Sequence, residues 1–82
     1  MIKDIRAFVK NNSYLEESGT ETETCIGFTT RENGDVGEEE YSPLDYNEAL
    51  RVRKLVLEKF EGVEVSVDTI DEWVDLEVTI KD

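Results

Sequence analysis

The chain has 82 residues, 38% of them hydrophobic, which suffices for one small core and leaves little room for a deep enclosed cavity. It carries 21 acids, 9 bases and no histidine, and the net charge of −12 disfavours direct binding to nucleic acid or to anionic membranes. No apolar run is long enough to cross a membrane, and the N-terminus lacks the pattern of a signal peptide. We therefore expect one soluble domain over residues 1–82 with basic partners. The single cysteine, Cys25, fits a cytoplasmic location.

The charges are unevenly distributed along the chain. Residues 1–10 carry a net charge of +2 and residues 51–60 carry +3, whereas residues 11–50 carry −10 and residues 61–80 carry −7. The basic segments have helical periodicity, and the acidic segments read as strands and loops.

The first half of the chain predicts a helix followed by a hairpin. The opening helix has apolar residues at helical spacing, at Ile2, Ile5, Phe8 and Val9. The polar stretch 14–24 predicts a loop that leads into a strand over 24–31. Asn33-Gly34 is a strong hairpin-turn signal and predicts a return strand over 36–41. In that hairpin Ile26, Phe28 and Tyr41 would face the core.

A second helix follows, whose start resembles a capping box at Ser42, Pro43 and Asp45, and Gly62 suits its C-terminal cap. Asp45 followed by Glu48 offers a second possible start. Its apolar face contains Ala49, Val52, Val56 and Phe60.

The last segment, VEVSVDTIDEWVDLEVTI, predicts a second hairpin with a turn centred on Ile70-Asp71. On one face it would pair Val63 with Val78, Val65 with Leu76, and Val67 with Val74. On the other face it would pair Glu64 with Glu77, Ser66 with Asp75, and Asp68 with Trp73. The predicted fold is α+β, in the order α-β-β-α-β-β, with a four-stranded, mainly antiparallel sheet covered by helices on one face.

The open face of this sheet is the candidate binding surface. Its predicted acids are Glu38, Glu40, Glu64, Asp68, Asp75 and Glu77. Acids two residues apart on a strand are about 6.8 Å apart, which crudely resembles the spacing of phosphates along nucleic acid. Glu64 opposite Glu77 would repel, and no lysine lies nearby in sequence to relieve the repulsion. The alternative is that these acids only solubilise an open sheet face.

Trp73 would lie among these carboxylates. It would either anchor a partner, for example by stacking against an arginine, or pack over the sheet edge against the N-terminal segment.

Other chemistry has little support in the sequence. Cys25 among acids predicts a poor thiolate, and residues 32–40 lack the spacing of a calcium loop. Arg53 is expected to extend to the rim of its helix or to pair with a sheet carboxylate. We expect no enzyme activity, no cofactor and no metal.

The arrangement of residues 1–60 resembles the small acidic anti-CRISPR proteins of phages. The similarity lies in a short N-terminal helix, Ser18-Gly19-Thr20, a hairpin closing at Asn33-Gly34-Asp35, and an amphipathic helix. The C-terminal hairpin departs from that family, which has helix there. The resemblance implies a DNA mimic that occupies the Arg- and Lys-lined site where a type II RNA-guided nuclease reads its PAM. It assigns no contact residue here.

The charge layout also fits inhibitors of uracil-DNA glycosylase, restriction-enzyme decoys, and immunity proteins or antitoxins against nucleases. The leading hypothesis is a phage-encoded inhibitor of host defence, monomeric or a small homo-oligomer, that blocks a basic nucleic-acid-binding protein. The alternative is a structural or assembly subunit that binds through its helices or a sheet edge.

Overall fold

The computed structural model describes residues 1–30, 41–70 and 72–81. The elements in chain order are α1 (Ile2–Asn12), β1 (Glu16–Glu21), β2 (Cys25–Thr29), α2 (Pro43–Lys59), β3 (Val63–Ile70) and β4 (Trp73–Ile80). The four strands form one antiparallel sheet in the order β1-β2-β4-β3. The α+β fold and the order α-β-β-α-β-β are therefore confirmed.

Both helices pack on one face of the sheet, because their apolar stripes meet the apolar face of the strands. The core residues are Ile5, Val9, Leu15, Ile26, Phe28, Ala49, Val52, Val56, Val65, Val74, Leu76 and Val78. The rings of Phe8 and Phe60 extend this core, with an edge-to-face contact at 5.6 Å between their centroids.

The start of α2 follows the sequence in part. The Ser42 hydroxyl accepts a hydrogen bond from the Leu44 amide at 3.2 Å, and Pro43 is the first helical residue. Asp45, predicted to complete the capping box, is buried and accepts a hydrogen bond from the Tyr14 hydroxyl at 2.7 Å. Asp45 therefore joins α2 to the segment after α1.

The end of α2 differs from the prediction. The helix ends at Lys59, and Phe60 is the C-cap, whose amide bonds to the Val56 carbonyl at 2.9 Å. Gly62 instead lies in the turn into β3 with a φ of 74°, where a residue with a side chain would be strained.

The strand pairing predicted for the first hairpin is wrong. Residues 16–21, predicted as loop, form β1, and β2 pairs with β1 on one side and β4 on the other. The predicted turn at Asn33-Gly34 and the return strand up to residue 40 lie outside the described residues. Tyr41, predicted in the core, is exposed, and its ring contacts that of Tyr46, with 5.7 Å between the ring centroids.

The second hairpin exists, but its register is shifted by two residues. Ile70 pairs with Trp73, whereas the predicted turn is centred on Ile70-Asp71. The resulting pairs include Asp68 with Asp75, Ser66 with Glu77, and Glu64 with Thr79. The predicted pairs of Glu64 with Glu77, Ser66 with Asp75 and Asp68 with Trp73 are therefore wrong. A shift of two residues preserves the faces, so every valine predicted to face the helices does so.

Candidate functional site

The sheet face that points away from the helices is termed here the outer face. Residues directly opposite each other in antiparallel strands share a face, so strand register places each side chain. From the hairpin turn inward, the outer face contains Ile70, Trp73, Asp68, Asp75, Thr29, Glu16, Ser66, Glu77, Gly27, Ser18, Thr20, Glu64, Thr79 and Cys25.

Four of the six predicted acids lie together on the outer face. They are Glu64 and Asp68 of β3, and Asp75 and Glu77 of β4. Glu38 and Glu40 lie outside the described residues. The structure adds Glu16, which is exposed and pairs with Thr29. Sequence reasoning missed Glu16 because no alternation of apolar residues marks β1 as a strand.

Asp68 and Asp75 form a cross-strand pair of like charges at the end of this acidic surface nearest the hairpin turn. The sequence predicted such a pair, but at Glu64 and Glu77. Opposed side chains in adjacent strands have Cβ atoms about 4.5–5.5 Å apart, so two carboxylates there repel each other. Glu77 continues the row along β4, about 6.8 Å from Asp75.

The arrangement around Asp75 adds to this concentration of charge. Asp75 Oδ1 is buried and has no hydrogen-bond donor among the described residues. Its neighbours across the strands are Asp68, which is exposed, and Thr29, which is buried. A carboxylate oxygen in this position has lost water contacts without gaining a donor from the described part of the chain.

Ion pairing differs between the two faces. Among the described residues, none of the lysines and arginines forms an ion pair with Asp68, Asp75 or Glu77. Glu64 lies 3.8 Å from Lys81, so the expectation of an acid without a nearby cation is wrong at Glu64. Both side chains of this pair are more than half exposed, and such pairs contribute little to stability.

On the helical side three acids are paired, namely Glu17, Glu21 and Glu48. Arg6 of α1 binds Glu17 and Glu21 of β1, and Lys10 lies 3.2 Å from Glu17. These contacts, with Lys10 first and then Arg6, lower the pKa of Glu17. In α2, Arg51 holds both carboxylate oxygens of Glu48, at 2.7 and 2.8 Å, and lowers the pKa of that carboxyl.

Trp73 and Ile70 form the apolar end of the outer face. They pair directly at the hairpin turn; Trp73 is half-buried and Ile70 is 42% exposed. An apolar contact therefore lies beside the Asp68–Asp75 pair. The partner predicted for Trp73 was Asp68, and the two-residue register shift replaces it with Ile70.

Cys25 lies on the outer face near Glu77. Burial raises the pKa of the Cys25 thiol, and the Glu77 carboxylate raises it further. The thiol therefore has little thiolate character at neutral pH, as the sequence predicted.

Arg53 is exposed at the rim of α2 and forms no ion pair with a described sheet carboxylate. It lines a shallow groove along one side of α2 with Leu50, Lys54, Leu57 and Glu58.

No group of three or more metal-ligating side chains occurs in residues 1–30, 41–70 and 72–81. No helix in this part of the chain has the length and apolar character needed to cross a membrane. The chain matches no protein-family model, no curated protein and no solved structure.

Proposed function

We propose that this chain is an inhibitor protein that occupies the nucleic-acid site of a basic protein, such as a nuclease, by presenting carboxylates in place of phosphates. The observation that carries the proposal is the row of Asp68, Asp75 and Glu77 on one sheet face without an ion pair to a described cation. On the helical side, Glu17, Glu21 and Glu48 pair with Arg6, Lys10 and Arg51, whereas no described cation pairs with the three acids of this row.

The geometry of the outer face supports recognition of a phosphate-binding site. Neighbouring strands are about 4.8 Å apart, and same-face residues within a strand are about 6.8 Å apart. Carboxylates at these intervals offer acceptors to several Lys and Arg side chains at once. The attraction steers association and is weakened by salt.

The apolar end of the face would complement the charges. Trp73 and Ile70 adjoin the acids, and the aliphatic stem or guanidinium plane of an arginine can pack against such a surface. The partner site would therefore combine arginine with a small apolar area.

A narrower form of the proposal names the target class. The resemblance to anti-CRISPR proteins points to the Arg-lined PAM-reading site of a type II RNA-guided nuclease. The test is DNA cleavage by such a nuclease with its guide, with and without this chain. If cleavage is unaffected at saturating protein, the nuclease is not the target, and other nucleic-acid-binding proteins remain candidates.

A second candidate function is supported by α2. Leu44 is 76% exposed and Leu57 is 44% exposed on this helix, and Leu57 lines the groove with Arg53 and Lys54. A structural or assembly subunit would bind its partner through this groove, with the sheet acids acting only as solubilising groups.

The experiment uses the immobilised chain and a heparin-binding fraction of a bacterial lysate, which is enriched in basic nucleic-acid-binding proteins. The outer-face variant is Asp68→Asn, Asp75→Asn and Glu77→Gln together. We expect the native chain to retain a protein that duplex DNA releases, and the variant to retain it about tenfold less well, because charge complementarity is lost.

The matched control removes three exposed acids elsewhere, through Asp4→Asn, Glu58→Gln and Glu61→Gln. It changes the net charge equally and should retain the partner as the native chain does. Equal losses in both variants would mean that net charge alone drives binding. If the outer-face variant keeps the partner and Leu57→Ser loses it, the α2 groove, which also contains Glu58, is the interface and the inhibitor proposal fails.

A further inference from the structure

β3 is an edge strand of the sheet that the described residues form, and none of those residues pairs with its outer side. In the order β1-β2-β4-β3 it pairs, within residues 1–30, 41–70 and 72–81, with β4 alone, over eight residue pairs and with no irregularity in register. β1, at the opposite edge, has a register shift between Glu17 and Glu21, and Gly19 there has a φ of 94°. Irregularities of this kind impede further pairing at β1, and β3 has none.

The hydrogen bonds of β4 identify the backbone groups that β3 presents at its free side. The Val74 amide donates to the Thr30 hydroxyl at 2.8 Å, and the Val74 carbonyl accepts from the Thr30 amide at 3.0 Å. The Ile80 amide bonds to the Thr24 carbonyl at 2.7 Å. Because successive strand residues bond to alternate sides, the even-numbered residues of β4 bond away from β3.

The β3 residues that pair with these even-numbered residues of β4 therefore direct their amides and carbonyls away from β4, towards the outer side of the edge. These residues are Val63, Val65, Val67 and Thr69. They form a row of four donors and four acceptors, spaced to receive an extended chain.

The charge of β3 determines which chain can pair there. No Lys or Arg occurs between Glu61 and Ile80, and Glu64 and Asp68 point from β3 onto the outer face. A strand added beside β3 would place alternate side chains about 4.8 Å from these acids. Its other side chains would lie beside Val63 and Val67, which are half-buried.

A second copy of this chain fits poorly. Two β3 strands paired with each other would bring Glu64 and Asp68 of one copy near the same acids of the other, and each copy carries −12. We therefore propose that β3 receives an extended basic segment of the partner, with alternating Lys or Arg and apolar residues, as a fifth strand. The inference rests on the proposed function only for the basic character of that partner.

The probe is a capped eight-residue peptide of alternating Lys and Val, and its control is the peptide of alternating Glu and Val. Amide hydrogen exchange of the intact chain is measured by NMR with each peptide at low salt. We expect the Lys peptide to slow exchange at Val63, Val65, Val67 and Thr69, and the Glu peptide to have no effect. Binding without protection of these amides, or no binding, overturns the inference.

Thr69→Pro supplies the matched variant. Thr69 is exposed and its amide points to the free side, so proline removes an edge donor while sparing the β3–β4 ladder. We expect about fivefold to tenfold weaker binding of the Lys peptide, whereas Thr69→Val, which keeps the amide, should bind as the native chain. If Thr69→Pro binds as tightly as Thr69→Val, the inference is wrong.

Two further outcomes distinguish the proposals. If the outer-face variant loses the captured partner and Thr69→Pro retains it, edge pairing fails and the proposed function stands. Slow exchange of the four amides without peptide, together with a dimer in sedimentation, would make a second copy the occupant and overturn the inference.

Discussion

Asp68 and Asp75 lie directly opposite each other on the outer face. Asparagine, a neutral side chain of similar size, could occupy either position. Opposed like charges destabilise a strand pair by a few tenths to about 1 kcal/mol. This destabilisation favours binding if the partner supplies cations, since binding then removes the repulsion between the two carboxylates. The pair therefore links the stability of the free protein to its proposed function.

We predict that Asp68→Asn raises the free energy of unfolding by about 0.3–1 kcal/mol at low salt, because it removes this repulsion. The gain should shrink at high salt, where the repulsion is screened. Urea unfolding at both salt concentrations measures it. Glu61→Gln, which neutralises an exposed acid in a loop, is the control and should change little. An unchanged stability of Asp68→Asn at low salt would contradict the prediction.

Tyr14 and Asp45 provide a prediction about pH. Burial, and then the hydrogen bond to Asp45, raises the pKa of Tyr14 above its usual value of 10.0. The unfolded chain therefore releases the tyrosine proton first, at about pH 10, and the folded state keeps it. Stability from this group is complete below pH 10 and declines as the pH rises beyond it.

Tyr14→Phe should accordingly lower the free energy of unfolding by about 1 kcal/mol at neutral pH, since buried Asp45 loses a donor. The difference between variant and native chain should narrow above about pH 10. Urea unfolding across this range is the measurement, and Tyr41→Phe, at the tyrosine whose ring contacts that of Tyr46, is the control. A constant difference across the range would show that Tyr14 does not titrate as described.

At the scale of elements, β1 is stabilised by its contacts with β2 and α1, and its own sequence carries no strand pattern. Its six residues, EESGTE, are all exposed and show no apolar alternation. It pairs with β2, and Arg6 of α1 binds two of its glutamates. The absence of a side chain at Gly27 permits close approach, because a Cβ there would lie 2.5 Å from Ser18 Oγ and 3.3 Å from Thr20 Cβ.

We predict that Gly27→Val destabilises the protein by about 1–3 kcal/mol, because its side chain overlaps β1. In a Ser18→Gly background the cost should be smaller, since one overlapping group is gone, and a double-mutant cycle measures this coupling. Ser66→Val, at an exposed outer-face position of β3, is the control and should stay within about 0.5 kcal/mol. If Gly27→Val lowers the free energy of unfolding equally in the native and Ser18→Gly backgrounds, contact with Ser18 is excluded as the cause of the destabilisation.

The elements predicted correctly from sequence are those with local signals. Periodicity and the Ser42-Pro43 cap place α2, and strict alternation places β3 and β4. Alternation also assigns the faces, which is why four site acids were found. It does not fix register, because any shift by an even number of residues gives the same faces, and the position of the turn decides between them.

The errors share a physical cause. β1 and the partners of β2 depend on contacts between residues distant in sequence, which periodicity cannot detect. The Asn33-Gly34 signal favoured a local hairpin, whereas the partner of β2 on one side is β4, far along the chain. Glu16 belonged to the candidate site but could be recognised only after β1 was known.

Across the whole molecule, the charge of −12 has two consequences with opposite dependence on salt. Repulsion among acids without partners opposes compact folding, and screening relieves it. Attraction between the outer face and a basic partner is weakened by the same screening. An interface at the apolar α2 groove would depend much less on salt, so the comparison separates the two candidate functions.

We predict that raising the salt concentration increases the free energy of unfolding while it weakens partner binding, in the same buffers and the same preparation. Urea midpoints give the stability, and a titration with the partner captured in the DNA-release experiment gives the affinity. The outer-face variant should lose most of the salt dependence of binding, because its three changes remove the charges that the partner recognises, and only the part of the salt dependence of stability that comes from the Asp68–Asp75 repulsion. The control variant at Asp4, Glu58 and Glu61 should keep the dependence of binding. Binding that is insensitive to salt, or strengthened by it, would place the interface on apolar contacts such as the α2 groove and exclude phosphate mimicry by the outer face.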